Sequence, residues 1–376
     1  MGVYSQTQAG RTEMNLIWRI SAPNYSTGIG VVTSGLIPMM INDGHRVLIV
    51  HSDGEFPSMK INGIDVCGVR SAASVEFIRK GYNFDYIFTN PGYKDAGDSY
   101  SNAVVLISFD FIEMPEKLSN DCKYGKYFFT VSKHNQRMAE EAGFISEYAP
   151  WGIDSNLFSP DYSRRKEFRR SLGISDDTFL IGCVGGVYWQ DRKNLQGLIE
   201  AFNIFSEQYK DSKLYLHTLA ISEMIWSEVN KNKNILFCDQ GRYILGNISQ
   251  YEMSEAYNGF DVFCLPTKGE AYGIPLIEAQ ACGCPVIATD TSACTEHVFG
   301  GWLIPSEPSD GPYDSKWGKT KVEDIVKSLE LAYINYKEKK YFTRHFSARL
   351  GAVELDWDKV YHKYWKPFLK KLDNYK

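Results

Sequence analysis

The chain has 376 residues, more than most single domains, so the sequence predicts two domains of roughly 150 to 200 residues each. Its hydrophobic content of 44% and charged content of 23% are those of an ordinary globular protein. A net charge of −5 disfavours broad binding to nucleic acid through the phosphate backbone, so we expect no nucleic-acid partner.

The N-terminal residues 1–13 precede the first apolar run, and we expect them to form a flexible leader. They lack the apolar core of a signal peptide, and no apolar run approaches the roughly 18 residues that a membrane-spanning helix needs. The cysteines lie mostly within apolar strands, which is typical of small core residues in a reducing cytosol. Cys282, Cys284 and Cys294 could be proposed as metal ligands, but no histidine lies at ligand spacing. We therefore expect a cytoplasmic protein without a metal.

Residues 14–155 are predicted to form the first domain, because apolar strand patterns alternate there with helical patterns. This alternation favours a parallel sheet flanked by helices. A loop that contains Gly28 and Gly30 is expected between the first strand and the first helix. The predicted strands are 14–21, 45–53, 84–90, 103–110 and 126–132, and the predicted helices are 31–44 and 134–143.

A second α/β domain is predicted over residues 160–350, after a linker rich in turn residues at 151–163. Two such halves joined by one linker leave a cleft between them, which is a favoured place for a ligand. The predicted strands are 179–187, 213–219, 234–239 and 261–266, and the predicted helices are 164–173, 194–209 and 251–260.

The last residues, 355–376, form an amphipathic helical pattern of aromatic and aliphatic residues interleaved with lysines. One interpretation is a helix packed on the first domain, and the alternative is an anchor that lies on a membrane surface. Pro367 is expected to kink this helix.

The most informative segment is GEAYGIPLIEAQACGCPVIATD, residues 269–290. Pro275 is at a position in the first turn of the predicted helix, where a backbone N–H has no partner within the helix. Gly283 is at the position where a glycine in the left-handed conformation commonly ends a helix. An apolar β-branched strand follows. The helix therefore presents free N–H groups and a positive dipole end, which suit a phosphate, between the carboxylates Glu270 and Glu278. A sugar nucleotide needs such an arrangement.

This segment resembles the Glu-x7-Glu donor-binding element of retaining glycosyltransferases with the GT-B fold, especially glycosyltransferase family 4. The resemblance implies two Rossmann-like α/β domains that face a cleft, with the C-terminal helix returning to the first domain. It implies that Glu278 binds the nucleotide ribose and that Glu270 lies beside the donor sugar. The backbone amides at Tyr272, Gly273 and Ile274 would then hold the phosphates.

Further segments resemble the same family. STGIGVVTSGL matches the glycine loop of the first domain, where the backbone at Gly28 and Gly30 would approach the donor phosphates. DRKNLQGLIEAF matches the family's KG-x-x-x-LIEAF helix, which makes Lys193 the lysine that stabilises the leaving diphosphate. SACTEHV resembles the turn whose backbone, near Thr295, would touch phosphate.

The chain departs from the family at two places. Many members carry an arginine where this chain has Tyr188, and Arg192 is the expected substitute. Many members carry a histidine where this chain has Asp110, which we expect to bind a donor-sugar hydroxyl or to orient the acceptor. A capping residue at the end of a strand is the alternative for Asp110. His134 is expected to have a structural role.

The resemblance implies a retaining hexosyltransferase that needs no metal and no cofactor. Its donor would be a GDP- or UDP-linked sugar. The acceptor hydroxyl would belong to a lipid-linked or other glycan, a protein or a small molecule, and peripheral contact with a membrane surface stays open. We predict catalytic roles for Glu270, Lys193 and Asp110.

Three other functions compete with this hypothesis. A dinucleotide-dependent dehydrogenase would use Gly28, Gly30 and Asp53, but the first glycine lies too far beyond its strand. A metal-dependent GT-A transferase would use Asp356 and Asp358 as a DxD motif, although these residues open a helix and are expected to cap it. A nucleotide-sugar-binding relative without activity is the third.

Overall fold

A computed structural model provides the structure of the chain. It describes residues 13–20, 28–51, 56–61, 63–68, 81, 83–91, 102–186, 191–218, 227, 229, 231–338 and 342–374. The expected leader, apart from Glu13, lies outside the described residues, and so do Asp53 and Tyr188.

The first domain is built on an eight-stranded sheet with the strand order β3-β4-β2-β1-β5-β6-β7-β8. The strands are β1 Asn15–Arg19, β2 Arg46–His51, β3 Phe56–Ile61, β4 Ile64–Gly68, β5 Tyr86–Thr89, β6 Ala103–Ile107, β7 Tyr127–Thr130 and β8 Glu147–Tyr148. All neighbours are parallel except β3 and β4, an antiparallel pair at one edge. The sequence analysis did not predict this pair, because Lys60 in β3 and Asp65 in β4 interrupt their short apolar runs.

The first domain's described helices are α1 Gly28–Asn42, α2 Glu116–Cys122 and α3 Lys133–Glu141. The prediction of a loop at Gly28 and Gly30 is wrong, because both residues lie in the first turn of α1. Residues Val32, Leu36 and Met40 follow at helical spacing and are fully buried. Their burial against the sheet outweighs the low helix propensity of glycine.

The second domain contains a six-stranded parallel sheet with the order β11-β10-β9-β12-β13-β14. Its strands are β9 Phe179–Val184, β10 Ser212–His217, β11 Ile235–Phe237, β12 Val262–Leu265, β13 Val286–Thr289 and β14 Gly301–Ile304. An antiparallel hairpin, β15 Ser306–Asp310 and β16 Lys316–Thr320, follows β14 and was not predicted. The described helices are α4 Tyr162–Ser171, α5 Leu195–Gln208, α6 Gln240–Ile244, α7 Gln250–Gly259, α8 Ile274–Ala281, α9 Val322–Lys337 and α10 Phe342–Ala352.

The C-terminal helical segment runs through Trp357–Val360, a π-helical turn at Tyr361–Trp365 and the helix Lys366–Asp373. Pro367 lies in the first turn of that last helix, where a missing N–H is tolerated. The sequence predicted a kink at Pro367. The structure instead has a π-helical turn, Tyr361–Trp365, directly before the helix that contains this proline.

This segment packs on the first domain. The Trp365 indole stacks on Trp151 at 5.5 Å between ring centroids and donates to the Pro150 carbonyl at 2.8 Å. The Tyr361 hydroxyl donates to Asp43 at 2.9 Å. The predicted return of the C-terminal helix to the first domain is therefore confirmed, and the apolar face that a membrane anchor would need is buried.

Asp356 caps this segment, as the sequence predicted. Its carboxylate accepts from the Asp358 amide at 2.9 Å and from the Ser155 hydroxyl at 2.6 Å. Within the described part of the chain, no helix combines the length and the apolar character needed to cross a bilayer. No group of three or more potential metal ligands occurs among those residues either, and all eight cysteines are buried and unpaired.

Candidate active site

The predicted strand–loop–helix–strand unit is present. Strand β12 leads through a loop into α8, and β13 follows. Gly273 stands before α8 with a φ of 89°, Pro275 occupies its first turn, and Gly283 ends it with a φ of 80°. Both glycines are in the left-handed region, which side chains disfavour. The first N–H groups of α8 therefore begin directly after the loop that carries Glu270.

Glu270 is the centre of a buried cluster of charges. Its carboxylate pairs with the Lys193 ammonium and lies 3.2 Å from the Arg192 guanidinium. Its backbone is fixed as well, because the Glu270 N–H donates to the Ser292 hydroxyl at 2.9 Å and its carbonyl accepts from Ala293 at 3.2 Å. Glu270 and Lys193 retain only 5% and 6% exposure. Two cations and a carboxylate are thus concentrated in front of the helix.

The cations set the ionisation of this carboxylate. Burial alone would raise the pKa of Glu270, but Lys193 and Arg192 together hold it below its usual value. The pKa of Arg192 is raised, since Asp110 and Glu270 more than offset the effect of burial. Both shifts favour the charged forms of Glu270 and Arg192.

Asp110 reaches this cluster from the first domain. It follows β6, and its carboxylate accepts from the Ala271 N–H at 2.7 Å and lies 3.3 Å from Arg192. Its side chain keeps 34% exposure. Burial raises the pKa of Asp110, and the positive charge of Arg192 only partly offsets this effect. The bond to Ala271 connects the two domains, so Asp110 does more than cap its own strand.

Glu278, the predicted ribose ligand, lies in α8 and is 7% exposed. It accepts a hydrogen bond from the hydroxyl of the fully buried Tyr257 at 2.8 Å. Burial raises the pKa of Glu278 to about 7, although the hydrogen bond from Tyr257 opposes this shift. Among the described residues, the Tyr257 hydroxyl is the hydrogen-bond donor to this carboxyl group, which leaves acceptor capacity for the hydroxyl groups of a ligand.

The remaining predicted donor residues lie in several places. The Tyr272 side chain is buried and its hydroxyl donates to the Trp151 carbonyl, so this ring serves the domain contact. Thr295 is exposed, and its hydroxyl donates to the Ser292 carbonyl at 3.0 Å. Gly28 and Gly30 lie in the first turn of α1, which follows β1. The carboxyl ends of parallel strands share one edge of a sheet, so this turn lies at the same edge as Asp110.

Two contacts between the domains were not predicted. Glu296 accepts from the backbone N–H groups of Lys133, at 2.8 Å, and of His134, at the first turn of α3. The Asn135 amide donates to the Ala271 carbonyl at 3.1 Å. The His134 ring contacts the Phe111 carbonyl at 2.7 Å, which agrees with its expected structural role.

The residues that sequence reasoning missed are mainly partners of the predicted ones. Tyr257 orients Glu278, Ser292 holds the backbone of Glu270, and Glu296 joins the domains. Ser292 has a φ of 47°, in the left-handed region, and a serine in the sequence does not predict this conformation. Of these three residues, only Glu296 could have been suspected from the sequence, because it directly follows Thr295 in the predicted phosphate-binding turn.

Part of the second domain resembles known proteins in sequence. Residues 178–311 match the model of the family Glycosyl transferases group 1. A D-inositol 3-phosphate glycosyltransferase of Pseudarthrobacter chlorophenolicus is 28% identical over 175 residues, which cover 43% of this chain and 40% of that protein. The matched part spans about four tenths of the length of the curated relatives.

Solved structures are similar over nearly the whole chain. Sucrose-phosphate synthase from Thermosynechococcus elongatus superposes with a TM-score of 0.74 at 15% identity, covering 96% of this chain and 100% of that one. Anabaena HepE, solved in complex with UDP-glucose, gives a TM-score of 0.70 at 13% identity and covers 95% and 100%. At such identities the likeness establishes the fold.

The predicted resemblance to GT-B glycosyltransferases and the predicted fold class are therefore confirmed. The chain has the GT-B fold, and its residues 178–311 carry the sequence pattern of glycosyl transferases group 1.

Proposed function

We propose that this protein transfers a sugar from a nucleotide-diphosphate donor to a hydroxyl group, with retention of the anomeric configuration and without a metal. The observation that carries the proposal is the buried cluster of Lys193, Arg192 and Glu270 in front of α8. Two cations and a helix N-terminus converge there, which is the electrostatic environment that a leaving diphosphate needs.

The cations would stabilise the diphosphate as its bond to the sugar breaks. Lys193 pairs with Glu270 and Arg192 lies beside Asp110, so a diphosphate would compete with these carboxylates for the two cations. Preorganised charges in a site of low dielectric act more strongly than the same charges in water. This supports a mechanism in which side chains take the role that a divalent cation has in other transferases.

Glu278 would hold the nucleotide by accepting from the ribose hydroxyls. Its pKa of about 7 falls when a ligand donates hydrogen bonds to the charged form. Nucleotide binding would therefore release a proton near neutral pH. Tyr257 keeps the carboxylate in place before the ligand arrives.

The reaction that we propose uses one face of the sugar. The acceptor oxygen forms a bond to the anomeric carbon as the bond from that carbon to the diphosphate breaks, and the acceptor proton passes to a diphosphate oxygen. Glu270 would bind the sugar and position it. It is not proposed as a covalent nucleophile, because its carboxylate is held by Lys193 and Arg192.

The donor that we propose is a UDP- or GDP-linked hexose. HepE, which shares the fold, was solved with UDP-glucose, and a relative from Corynebacterium glutamicum is a GDP-mannose-dependent mannosyltransferase. The acceptor would be a glycan, a lipid-linked sugar, a protein or a small molecule such as the inositol phosphate of the Pseudarthrobacter relative.

A thermal-shift panel with GDP, UDP, ADP and their common sugar conjugates, with and without EDTA, tests this proposal. A nucleotide at a hundredfold excess over its Kd should raise the free energy of unfolding by about 2.7 kcal/mol. We expect one nucleotide to stand out, to act equally with EDTA, and to lose its effect in Glu278→Gln.

The matched control for the cation cluster is a pair of lysine variants. Lys193→Ala should weaken the nucleotide effect, whereas Lys327→Ala, an exposed lysine on α9 with 69% side-chain exposure, should not. Nucleotide binding without any turnover would favour the inactive relative instead. No shift with any nucleotide would refute the proposal.

A further inference from the structure

The hairpin β15–β16 contacts the first domain beside the candidate active site. Trp317, on β16, is 4% exposed. Its ring stacks on Phe111 with the ring centroids 6.4 Å apart and the planes at 23°. Phe111 in turn stacks on Phe109, also at 6.4 Å. These two phenylalanines flank Asp110 in the chain, so the stack holds the segment that carries this carboxylate.

Backbone hydrogen bonds connect the same hairpin to both sides of the cleft. The Ile112 N–H, in the first domain, donates to the Lys316 carbonyl at 2.9 Å. The Gly318 N–H donates to the Lys268 carbonyl at 2.8 Å, and the Lys268 N–H donates to the Arg192 carbonyl at 2.7 Å. These hydrogen bonds connect the loop that carries Asp110, through the hairpin and Lys268, to the backbone of Arg192.

The three segments approach one another closely at Gly269. A side chain at this position would have its Cβ 1.9 Å from the Asp110 carbonyl oxygen and 3.4 Å from Trp317. A contact of 1.9 Å with backbone cannot be relieved by a rotamer change. Glycine is therefore required for the hairpin, the first-domain loop and the Glu270 loop to meet.

The indole of Trp317 contributes through its shape. Among the described residues, its buried Nε1 finds no hydrogen-bond partner. A buried donor without a partner is costly, so hydrogen bonding does not explain the stability of this ring in its place. The ring is held instead by stacking on Phe111 and by the Lys268 ammonium, which lies 5.8 Å from its centroid.

We infer that Trp317 is a positioning residue. It fixes segment 109–112 so that Asp110 reaches Ala271 and Arg192. Its consequence for catalysis rests on the function proposed above, whereas its structural consequence does not. The two can therefore be tested separately.

The structural test is amide hydrogen exchange of the ligand-free chain, followed by mass spectrometry on peptides that cover 109–114 and 268–274. In Trp317→Ala we expect the amides of Ile112 and Ala271 to exchange about tenfold faster, because their acceptors are no longer held in place. Trp317→Phe keeps a ring for the stack and should exchange within about twofold of the unaltered chain.

Trp302→Ala is the matched control, since Trp302 lies in the same domain but packs against Arg344 at 4.3 Å instead of the cleft. It should leave both peptides unchanged. Equal exchange in Trp317→Ala and the unaltered chain would overturn the inference. Faster exchange throughout the chain, including in Trp302→Ala, would also overturn it, because the effect would then be general destabilisation.

The catalytic test compares kcat with nucleotide Kd. Trp317→Ala should lower kcat about tenfold and leave the Kd within about twofold, because the nucleotide is expected to bind the second domain. Trp317→Phe should restore kcat. Loss of kcat in Trp317→Phe with normal exchange would mean that the indole N–H acts on the substrate, which contradicts a positioning role. If the unaltered chain neither binds a nucleotide nor turns over, the proposed function fails, and the exchange data still decide the role of Trp317.

Discussion

The Glu-x7-Glu unit of the second domain and the segment 109–112 of the first domain form the two sides of the candidate site, and they are built in different ways. The unit is continuous in sequence, and its proline and glycines define the start and the end of α8 locally. The first-domain segment obtains its position from residues far away in the chain. The bond between Asp110 and Ala271 spans 161 positions. One side of the site is therefore encoded locally, and the other depends on how the domains meet.

This difference predicts which substitutions act on the chemistry and which act on the assembly. Changes in the second domain should affect the donor and the leaving group directly. Changes in the first-domain segment and its contacts should act through the contacts between the two domains, and their effects should be smaller.

The largest effect is expected from Glu270→Gln. The variant removes the charge that we propose positions the donor sugar, and we expect kcat to fall about 10² to 10³-fold. The nucleotide Kd should not rise, because a carboxylate that competes with the diphosphate for Lys193 and Arg192 is lost. Steady-state kinetics and calorimetric titration measure the two quantities. Glu354→Gln, an exposed carboxylate paired with Lys359, is the control. Unchanged turnover in Glu270→Gln would remove this residue from the chemistry.

The next effect concerns stability and pH. Burial raises the pKa of Glu278 from 4.5 to about 7, so the native state keeps a proton that the unfolded chain has already lost. The free energy of unfolding should therefore fall as the pH rises through this window. Glu278→Gln cannot ionise and should be more stable than the unaltered chain by about 3 kcal/mol at pH 8, with little difference near pH 4.5.

Urea unfolding at both pH values measures this difference. The same variant should lose nucleotide binding, so that it gains stability while it loses function. A variant that is less stable at pH 8 would show that Glu278 is compensated in the native state by more than the hydrogen bond from Tyr257.

A smaller effect is expected from Asp110→Asn. The amide oxygen can still accept from Ala271, but the charge that faces Arg192 is lost. We expect kcat/KM to fall about tenfold, which corresponds to roughly 1.4 kcal/mol. Steady-state kinetics tests this, and Asp110→Ala provides the comparison without the hydrogen bond. Equal activities of the two variants would mean that the contact with Ala271 does not contribute.

The smallest effect is expected from Glu296→Gln. Glu296 of the second domain caps the N-terminus of α3 in the first, and its charge also interacts favourably with the helix dipole. Loss of the charge should lower the free energy of unfolding by about 1 kcal/mol. Glu140→Gln, near the other end of α3, should cause no loss. A similar loss in both variants would argue against the cap.

The fold was largely predictable because the apolar strands and the helix ends carry local signals. Buried strands such as β9 and β13 appear as continuous apolar runs, and the resemblance to a known family supplied the arrangement of the two domains. The strand β4 was missed because Asp65 interrupts its short apolar run. The hairpin β15–β16 was missed because charged and turn residues dominate its strands. The glycines of α1 were placed in a loop because their local propensity was given more weight than the burial of the helix that follows.

Of the candidate site, the sequence by itself determined the residue types and the local frame. Glu270, Glu278 and Lys193 were identifiable from their motifs, and Gly273 and Pro275 define the start of α8. Only the tertiary structure decided which charges pair, because Lys193 and Glu270 are separated by 77 positions. The residues next to a charged or aromatic side chain in the sequence do not indicate which distant residue it will contact. The interactions of these side chains depend on distance and burial, and packing of the two domains sets both.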